Sequence, residues 1–337
     1  MSLRSILKIL LFPHRAYREK IRLTEQLAAS QNDLADTWNQ LNKIAAERDE
    51  LKRLRMSIDA PEFAPPGHFY SPIPSKQDIE DYLARCARRP GLHELGGIDL
   101  DCHRQVELLD SLRPYYPLAP FADEPVDNLL YYYNNPHYNQ TDAVILFGML
   151  NSLRPKRLIE IGSGFSTCVI LDTNRLFLDS KVEVTCIEPH PDLLRSLVAK
   201  FADPLTIKEI KLQDTDLATF DTLDRGDILF VDSTHISKTG SDVNYLIFEI
   251  LPRLKPGVVI HIHDIYLNFE YPDAWLQEGR GWNEAYLLRA FMQYNQSFRT
   301  LLFISYLQNE NVQESWFREH MPKTLATKGG CYWMEKV

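Results

Sequence analysis

The chain has 337 residues, 45% of them hydrophobic, which is enough for one large or two modest domains with a full core. Its formal net charge is −9, and because residues 1–57 carry 11 Lys and Arg against 7 Asp and Glu, the rest of the chain is strongly acidic. This acidic balance argues against a nucleic-acid-binding groove. The five cysteines have no paired spacing, which is typical of a protein in a reducing cytoplasm rather than of a zinc knuckle or a disulfide framework.

Residues 1–57 form the first region and are predicted to be helical. Leu27, Leu34 and Leu41 recur at heptad spacing, which predicts a short coiled coil through which the chain would form a homo-oligomer. The alternative interpretation is a single amphipathic helix that packs on its own domain.

Residues 1–22 carry six basic side chains and one acidic side chain. Apolar residues lie between them, as in a basic amphipathic segment that contacts an anionic inner-membrane surface, although a disordered or partner-bound tail fits the same pattern. No apolar run reaches the roughly 20 residues of a membrane span, and no small-residue cleavage site follows the segment. We therefore expect a cytoplasmic protein that is at most peripheral at the inner membrane.

The second region, residues 58–130, opens with the proline-rich stretch APEFAPPGHFYSPIPS, which predicts a linker. A helical pattern follows over Lys76–Arg88, and the remaining segments have no periodicity long enough for a core of their own. We expect this region to be an N-terminal extension that packs on the main domain.

The third region, residues 131–337, alternates short apolar runs with helical patterns. The apolar runs predict strands at Arg157–Ile161, Val182–Glu188, Thr206–Leu212, Asp227–Asp232, Val258–Asp264, Phe298–Leu307 and Gly330–Glu335. Helices are predicted between them, for example over Asp142–Leu153, Leu193–Phe201 and Ser241–Leu254. This alternation indicates a doubly wound, mostly parallel, Rossmann-like α/β sheet, in which the last two strands form an antiparallel edge.

The stretch RLIEIGSGFSTC, residues 157–168, places a glycine turn directly after the first strand. Gly162 and Gly164 let a ligand approach the backbone at the carboxyl edge of the sheet. A dinucleotide fingerprint has a third glycine where this chain has Thr167, and the Glu160 carboxylate would repel a diphosphate but suits an ammonium group. The pattern therefore favours S-adenosylmethionine, which has an amino-acid end and no phosphate. The predicted cofactor-binding residues of this turn are Glu160, Gly162, Ser163 and Gly164.

The second and third strands offer further contacts to a nucleoside. Glu188 ends the second strand, 24 residues after Gly164, where a carboxylate can accept hydrogen bonds from both ribose hydroxyls. NAD sites share this requirement, so Glu188 alone does not separate the two cofactors. After the third strand, Gln213 and Asp214 are predicted to lie near the adenine, with a solvated loop carboxylate as the alternative for Asp214.

These stretches resemble a known family. IEIGSGFST, CIEPHP and DILFVDSTH are similar to the successive motifs of class I S-adenosylmethionine-dependent methyltransferases, and the run from Gly226 to Trp275 resembles a bacterial branch of that class. Members of this branch often resemble small-molecule and sugar O-methyltransferases. The resemblance covers about residues 60–337 and not the first 57. It implies a methyltransferase domain over residues 131–337 that acts on a hydroxyl of a sugar, a glycan or another small molecule.

Two clusters at the ends of the fourth and fifth strands have the residues that methyl transfer needs. Asp232 and His235 follow one strand, and His263 and Asp264 end the next, so parallel strands would bring the two carboxylates together beside the cofactor. Two carboxylates with an imidazole make a site for Mg²⁺ or Mn²⁺. Asp232 is also expected to contact the cofactor.

Metal-dependent sugar O-methyltransferases carry Asp-x-x-His after this strand and paired carboxylates after the next. The resemblance therefore implies Asp232 and Asp264 as metal ligands and His235 as the general base. The chain departs from that pattern at His263, which replaces the first paired carboxylate and is either a third ligand or itself the base. The alternative for His235 is a loop histidine without chemistry, and the alternative for His261 is a core histidine.

Aromatic side chains flank the same edge of the sheet. Candidates to cover the cofactor or to stack on a sugar ring are Tyr131–Tyr133, Tyr138, Tyr271, Trp275 and Trp282. We therefore expect an S-adenosylmethionine-dependent O-methyltransferase. The alternatives are a cofactor-binding scaffold without catalysis and a dinucleotide-dependent oxidoreductase.

Overall fold

The computed structural model describes residues 63–88 and 95–337, and within 18–48 all residues except 25, 28–33, 35, 36, 39 and 46. The chain divides into two compact units, Met1–Pro65 and Pro66–Val337. None of the helices in the described ranges is both long enough and apolar enough to cross a bilayer.

In the first unit, the described residues between 18 and 48 are helical. Leu27, Leu34 and Leu41 are exposed, with 61%, 68% and 55% of their surface accessible. A coiled coil requires such a row of exposed apolar residues on each chain, and the coiled coil stays a prediction. Most of the predicted basic segment, residues 1–17, lies outside the described residues, as does the start of the predicted linker.

The second unit consists of strands and helices in alternation. Its strands are β1 (Arg157–Ile161), β2 (Glu183–Ile187), β3 (Leu205–Lys208), β4 (Ile228–Val231), β5 (Val259–Ile262), β6 (Phe298–Phe303) and β7 (Tyr332–Lys336). Its α-helices are α1 (Lys76–Ala87), α2 (Cys102–Leu112), α3 (Gln140–Leu153), α4 (Phe165–Phe177), α5 (Asp192–Val198), α6 (Asp242–Tyr245), α7 (Asp273–Gln277), α8 (Glu284–Met292), α9 (Ile304–Leu307) and α10 (Glu314–His320). Short 3₁₀-helices lie at Arg113–Leu118, Leu212–Asp214, Leu217–Thr222, Leu267–Phe269 and Pro322–Ala326.

In the part of the chain that the structure describes, seven strands form one sheet in the order β3-β2-β1-β4-β5-β7-β6. Strands β1 to β5 pair in parallel, and β7 runs antiparallel to both of its neighbours, β5 and β6. All four residues of β4 are buried, as expected of a parallel strand covered by helices on both faces. The predicted doubly wound, mostly parallel sheet with antiparallel pairing toward one edge is therefore confirmed.

The chain order reverses between β1 and β4, because the chain runs outward from β1 to β3 and then returns to pair β4 with β1. At such a point, the loops after the two strands leave a crevice at the carboxyl edge of the sheet. Ile161 pairs with Val231, and Val231 pairs with Ile262, so β1, β4 and β5 end at the same level. The residues that follow these three strands therefore meet at one crevice.

Two apolar clusters cover the two faces of the sheet. Phe230 belongs to one cluster and Leu229 to the other, since successive strand residues point to opposite faces. Leu109 and Leu112 of α2 are buried in the cluster that contains Phe230. Helix α2, from the predicted N-terminal extension, thus shares this core.

Some predicted boundaries differ from the structure. The predicted strand Phe298–Leu307 is wrong beyond Phe303, because the chain turns into α9 and buries Ile304 and Leu307 in the core. The predicted strand Thr206–Leu212 ends at Lys208. The predicted helix Ser241–Leu254 has Ser241 as its N-cap and changes pitch twice. Its α-helical start is followed by a π-helical turn over Leu246–Ile250 and a 3₁₀ turn over Leu251–Arg253.

Candidate active site

The turn between β1 and α4 requires glycine at position 162. Gly162 has a φ of +79°, and a Cβ added to it would stand 1.8 Å from the carbonyl oxygen of Asp232. Its N–H donates a hydrogen bond to the carbonyl of Ile187 at 3.1 Å. Because a side chain has no room here, the turn after β1 packs directly on the backbone that follows β4.

Glu160 lies beneath this turn and is fully buried. Its carboxylate accepts hydrogen bonds from the hydroxyls of Ser166 and Thr167, both at 2.6 Å, and from the Cys186 thiol at 3.2 Å. The Thr167 hydroxyl also accepts the N–H of Gly164 at 3.1 Å. Both carboxylate oxygens are thus engaged inside the protein. The structure does not bring Glu160 to the position that the predicted contact with an ammonium group requires, and Glu160 instead supports the turn.

Burial raises the pKa of Glu160 from 4.5 to about 7, against the lowering effect of the hydrogen bonds from Ser166 and Thr167. The unfolded chain ionises this carboxyl near pH 4.5 and the native chain near pH 7. Protonated Glu160 therefore contributes fully to the free energy of unfolding below about pH 4.5. This contribution is lost as the pH rises to about 7, at about 1.4 kcal/mol per pH unit.

Glu160→Gln is expected to remove this pH dependence of the free energy of unfolding.

Urea unfolding between about pH 5 and about pH 8 measures the effect. Glu183→Gln, at an exposed position on β2, is the matched control and should keep the wild-type slope. Equal slopes for Glu160→Gln and the wild type would contradict the prediction.

A first cavity of about 480 Å³ opens beside the glycine turn, where β1, β2 and β4 end. Gly162, Glu188 and Asp232 line it. The Glu188 carboxylate accepts the N–H of His190 at 2.8 Å and lies 3.5 Å from the Ser163 hydroxyl. Three predicted cofactor-binding residues thus line one cavity, with Ser163 in contact with one of them.

Of the two residues predicted near the adenine, Gln213 lines the first cavity and Asp214 does not. Both belong to the 3₁₀ turn Leu212–Asp214, in which Leu212 is buried and Asp214 is exposed. A turn this tight directs successive side chains apart. The structure therefore places Asp214 in solvent rather than in the cavity.

Asp232, His235 and Asp264 come together at the ends of β4 and β5. Nε2 of His235 lies 3.4 Å from Asp232 Oδ1 and 3.5 Å from Asp264 Oδ2. One potential ligand atom from each residue lies within 4.8 Å of the other two. His235 and Asp264 both have a left-handed φ of +59°, which is uncommon outside glycine and concentrates at functional sites.

Glu284, the first residue of α8, orients His235. Nδ1 of His235 donates a hydrogen bond to Glu284 Oε2 at 2.8 Å, and both side chains are buried. The His235 carbonyl accepts the N–H groups of Asn283 and Glu284 at 3.0 and 3.1 Å. The sequence alone does not pair Glu284 with His235, because 49 residues separate the two and an acidic residue at a helix start is ordinary.

His263 lies next to Asp264 but outside this group. Its Nε2 is 3.6 Å from Asp264 Oδ1, and its Nδ1 is 4.0 Å from Oδ2 of the buried Asp142. The structure thus places His235 in the group with Asp232 and Asp264, whereas the sequence analysis has His263 as either the third ligand or the base. The reason is the left-handed backbone at His235, which turns its ring toward both carboxylates.

His261 is a core residue, as the alternative interpretation has it. It is fully buried, with ring centroids 4.0 Å from Phe230 and 4.6 Å from Trp333. Burial lowers the pKa of His261 well below its ordinary value, so its ring is neutral.

The charges around His235 are unevenly balanced. Burial would lower the pKa of His235, but the hydrogen bonds to Asp232 and Glu284 raise it well above its ordinary value. Burial would likewise raise the pKa of Asp232, yet the charges of His263 and His235 lower it to about 2. The carboxylates of Asp232 and Asp264 both face the Nε2 atom of His235.

A second cavity of about 510 Å³ is bounded by this group and by aromatic side chains. Of the predicted aromatic residues, Tyr138, Trp275 and Trp282 line it, whereas Tyr131 and Tyr271 are buried in the core. Residues that line the second cavity include His137, Tyr138, His263, Tyr266, Arg280 and Trp282. Asp232 lines both cavities, so the two cavities adjoin at this residue.

A family described as a methyltransferase domain matches residues 159–265. An uncharacterized protein of Archaeoglobus fulgidus is 37% identical over 163 residues, which cover 48% of this chain and 73% of that protein. Two crystal structures are also similar: the Podospora anserina methyltransferase PaMTH1 bound to S-adenosylhomocysteine, and the O-methyltransferase TomG of Streptomyces achromogenes with S-adenosylmethionine. PaMTH1 is 15% identical, with a TM-score of 0.41, and the match covers 82% of this chain and 100% of PaMTH1. TomG is 12% identical, with a TM-score of 0.40, and the match covers 78% of this chain and 99% of TomG. The matched residues 159–265 contain the glycine turn and the group formed by Asp232, His235 and Asp264.

Proposed function

We propose that the chain methylates a hydroxyl oxygen of a sugar or another hydroxylated small molecule, because it belongs to the class I S-adenosylmethionine-dependent methyltransferases. The cofactor binds in the first cavity, and the acceptor binds in the second. The family excludes the alternative of a dinucleotide-dependent oxidoreductase.

One observation carries this proposal: Asp232 forms part of the wall of both cavities. Methyl transfer is an in-line displacement, which requires the reacting atoms to stand about 3 to 3.5 Å apart in the bound complex. Two cavities that adjoin at a single residue permit such an approach. In the first cavity, Gly162 forms part of the wall, and Glu188 presents a carboxylate to a ribose.

Asp232, His235 and Asp264 fit a divalent cation. Ligands of an octahedral cation at about 2.1 Å stand about 3 Å apart, and the distances of 3.4 and 3.5 Å from His235 Nε2 to the carboxylates are close to this spacing. Glu284 accepts the other ring N–H, as carboxylates commonly do for metal-bound histidines. We therefore assign these three residues as ligands of Mg²⁺ or Mn²⁺. A cation there lowers the proton affinity of an acceptor hydroxyl.

His263 is then the residue that takes the hydroxyl proton, because Nε2 of His235 is directed at the two carboxylates. The His263 ring lines the second cavity. Asp142 Oδ2 stands 4.0 Å from its other nitrogen, beyond hydrogen-bond distance, and an ionised Asp142 would stabilise the imidazolium through its charge.

A screen of hydroxylated acceptors tests the proposed function. The full-length protein is incubated with S-adenosylmethionine labelled in its methyl group and with nucleotide sugars or glycan fragments, with and without a chelator. We expect label on at least one hydroxyl acceptor, loss of transfer with the chelator, and recovery when Mg²⁺ or Mn²⁺ is restored. His263→Ala is expected to slow transfer by about 10²- to 10⁴-fold without weakening cofactor binding.

The matched control for this variant is His103→Ala, at an exposed position on α2, which should transfer at the wild-type rate. Cofactor binding without transfer to any acceptor would instead support the scaffold alternative. Transfer that resists the chelator would contradict the metal assignment, and an unchanged rate in His263→Ala would contradict its role as the base.

A further inference from the structure

Arg280 lies in the wall of the second cavity, with its guanidinium held by two tryptophans. Its Cζ is 4.3 Å from the ring centroid of Trp275 and 4.9 Å from that of Trp282. The Nε–H donates a hydrogen bond to Glu278 at 2.8 Å. Among the hydrogen bonds between described residues, none uses Nη1 or Nη2. The stacking thus positions a guanidinium that has donors available for a ligand.

This cation and the metal-ligand group face the same cavity. The His235 ring lies 4.5 Å from the ring of Trp282, so a single indole contacts both the imidazole and the guanidinium. Of the residues described around this cavity, Arg280 is the only lysine or arginine. The cavity therefore has two carboxylates at one end and a cation one indole ring away.

We propose that Arg280 binds an acidic group of the acceptor, so that the acceptor is an anionic sugar: a uronic acid or a sugar phosphate. The inference rests on the proposed function and adds to it the chemical class of the acceptor. The indole that separates the guanidinium from His235 is comparable in size to a monosaccharide. The acidic group and the methylated hydroxyl accordingly belong to the same sugar unit or to adjacent ones.

The chemistry of the side chain supports an oxyanion as its ligand. A guanidinium presents paired N–H donors that match a carboxylate or a phosphate in a bidentate contact, and stacking limits the conformational freedom that binding would otherwise remove. The Glu278 partner is 54% exposed and engages Nε alone, so the ion pair leaves the other two nitrogens free for the cavity. A neutral sugar would leave Nη1 and Nη2 of Arg280 without an anionic partner.

Equilibrium binding of matched acceptors tests the inference without relying on turnover. Calorimetry is carried out on the full-length protein saturated with S-adenosylhomocysteine and Mg²⁺. The probes are glucose against glucuronate, galactose against galacturonate, and glucose against glucose 6-phosphate. The proteins are the wild type, Arg280→Gln, Arg280→Lys, and Arg253→Gln as a control at an exposed arginine paired with Asp221. The saturated cofactor site shows that each variant is folded.

We expect at least one acidic probe to bind about tenfold or more tightly than its neutral partner. Arg280→Gln should abolish this preference, Arg280→Lys should retain part of it, and Arg253→Gln should keep all of it. The comparison of uronates with the sugar phosphate identifies which oxyanion the cavity takes. Equal binding of acidic and neutral partners, absence of binding by every acidic probe, or a preference that survives Arg280→Gln would overturn the inference. Methyl transfer to any hydroxylated acceptor in the screen would leave the proposed function standing in each of these cases.

Discussion

Asp264→Asn is expected to reduce methyl transfer by about 10³-fold or more while the affinity for S-adenosylmethionine stays near that of the wild type. Asp264 stands 3.5 Å from His235 Nε2 and lines the second cavity but not the first. The substitution preserves the shape of the side chain and removes the charge that holds a cation, and a loss of this size corresponds to about 4 kcal/mol of transition-state stabilisation. Single-turnover rates and calorimetry with the cofactor measure the two quantities separately.

Asp221→Asn is the control for this variant, because Asp221 pairs with Arg253 at the surface and lines neither cavity. It should have wild-type rates and wild-type cofactor affinity. An Asp264→Asn protein that transfers methyl groups at a rate within tenfold of the wild type would show that the carboxylate has no part in the reaction.

The two glycines of the turn are expected to respond to alanine in opposite ways. In Gly162→Ala, the new Cβ would stand 1.8 Å from the Asp232 carbonyl, and the residue would keep a φ of +79°. Backbone would have to move, so we expect a loss of at least about 3 kcal/mol in the free energy of unfolding and a fall in Tm of about 6 °C or more. Thermal unfolding measures the change.

Gly164→Ala is the matched variant two residues further on. Gly164 has an extended backbone, and a Cβ added to it meets no atom within 4 Å. We expect an unchanged Tm but a cofactor affinity at least about tenfold weaker, because the added methyl group would occupy space that the cofactor needs in its approach to the turn. Equal Tm values for the two variants would contradict the role of Gly162, and unchanged affinity in Gly164→Ala would move the cofactor away from the turn.

The fold and the position of the site follow from local patterns in the sequence. The strands are short apolar runs bounded by turn residues, and helices between them require parallel pairing. Parallel pairing in turn places the residues after β4 and β5 at one edge of the sheet, so the proximity of Asp232 and Asp264 is predictable before any side chain is positioned. Glu188 lines the first cavity for the same reason.

The details of the site depend on contacts between distant segments, which the sequence does not reveal. His235, rather than His263, faces both carboxylates because its backbone is left-handed and its ring is held by Glu284, 49 residues away. The sequence predicts a ligand contact for Glu160, yet this residue is buried and Ser166 and Thr167 engage both of its oxygens. These differences concern which side chain faces the ligand, and they depend on tertiary hydrogen bonds rather than on periodicity.

The sequence also gives no sign of where Arg280 lies. Its local sequence, EGRGW, has the charge and glycine content of an ordinary surface loop. Only the stacking of its guanidinium on Trp275 and Trp282 brings it into the wall of the second cavity.

Binding of Mn²⁺, followed by electron paramagnetic resonance in the presence of S-adenosylhomocysteine, tests most directly whether Asp232, His235 and Asp264 hold the cation that methyl transfer uses. We predict one tight Mn²⁺ ion per wild-type chain, displaced by excess Mg²⁺ and lost in Asp264→Asn. A wild-type spectrum that shows only aqueous Mn²⁺, or bound Mn²⁺ that persists in Asp264→Asn, would contradict this account.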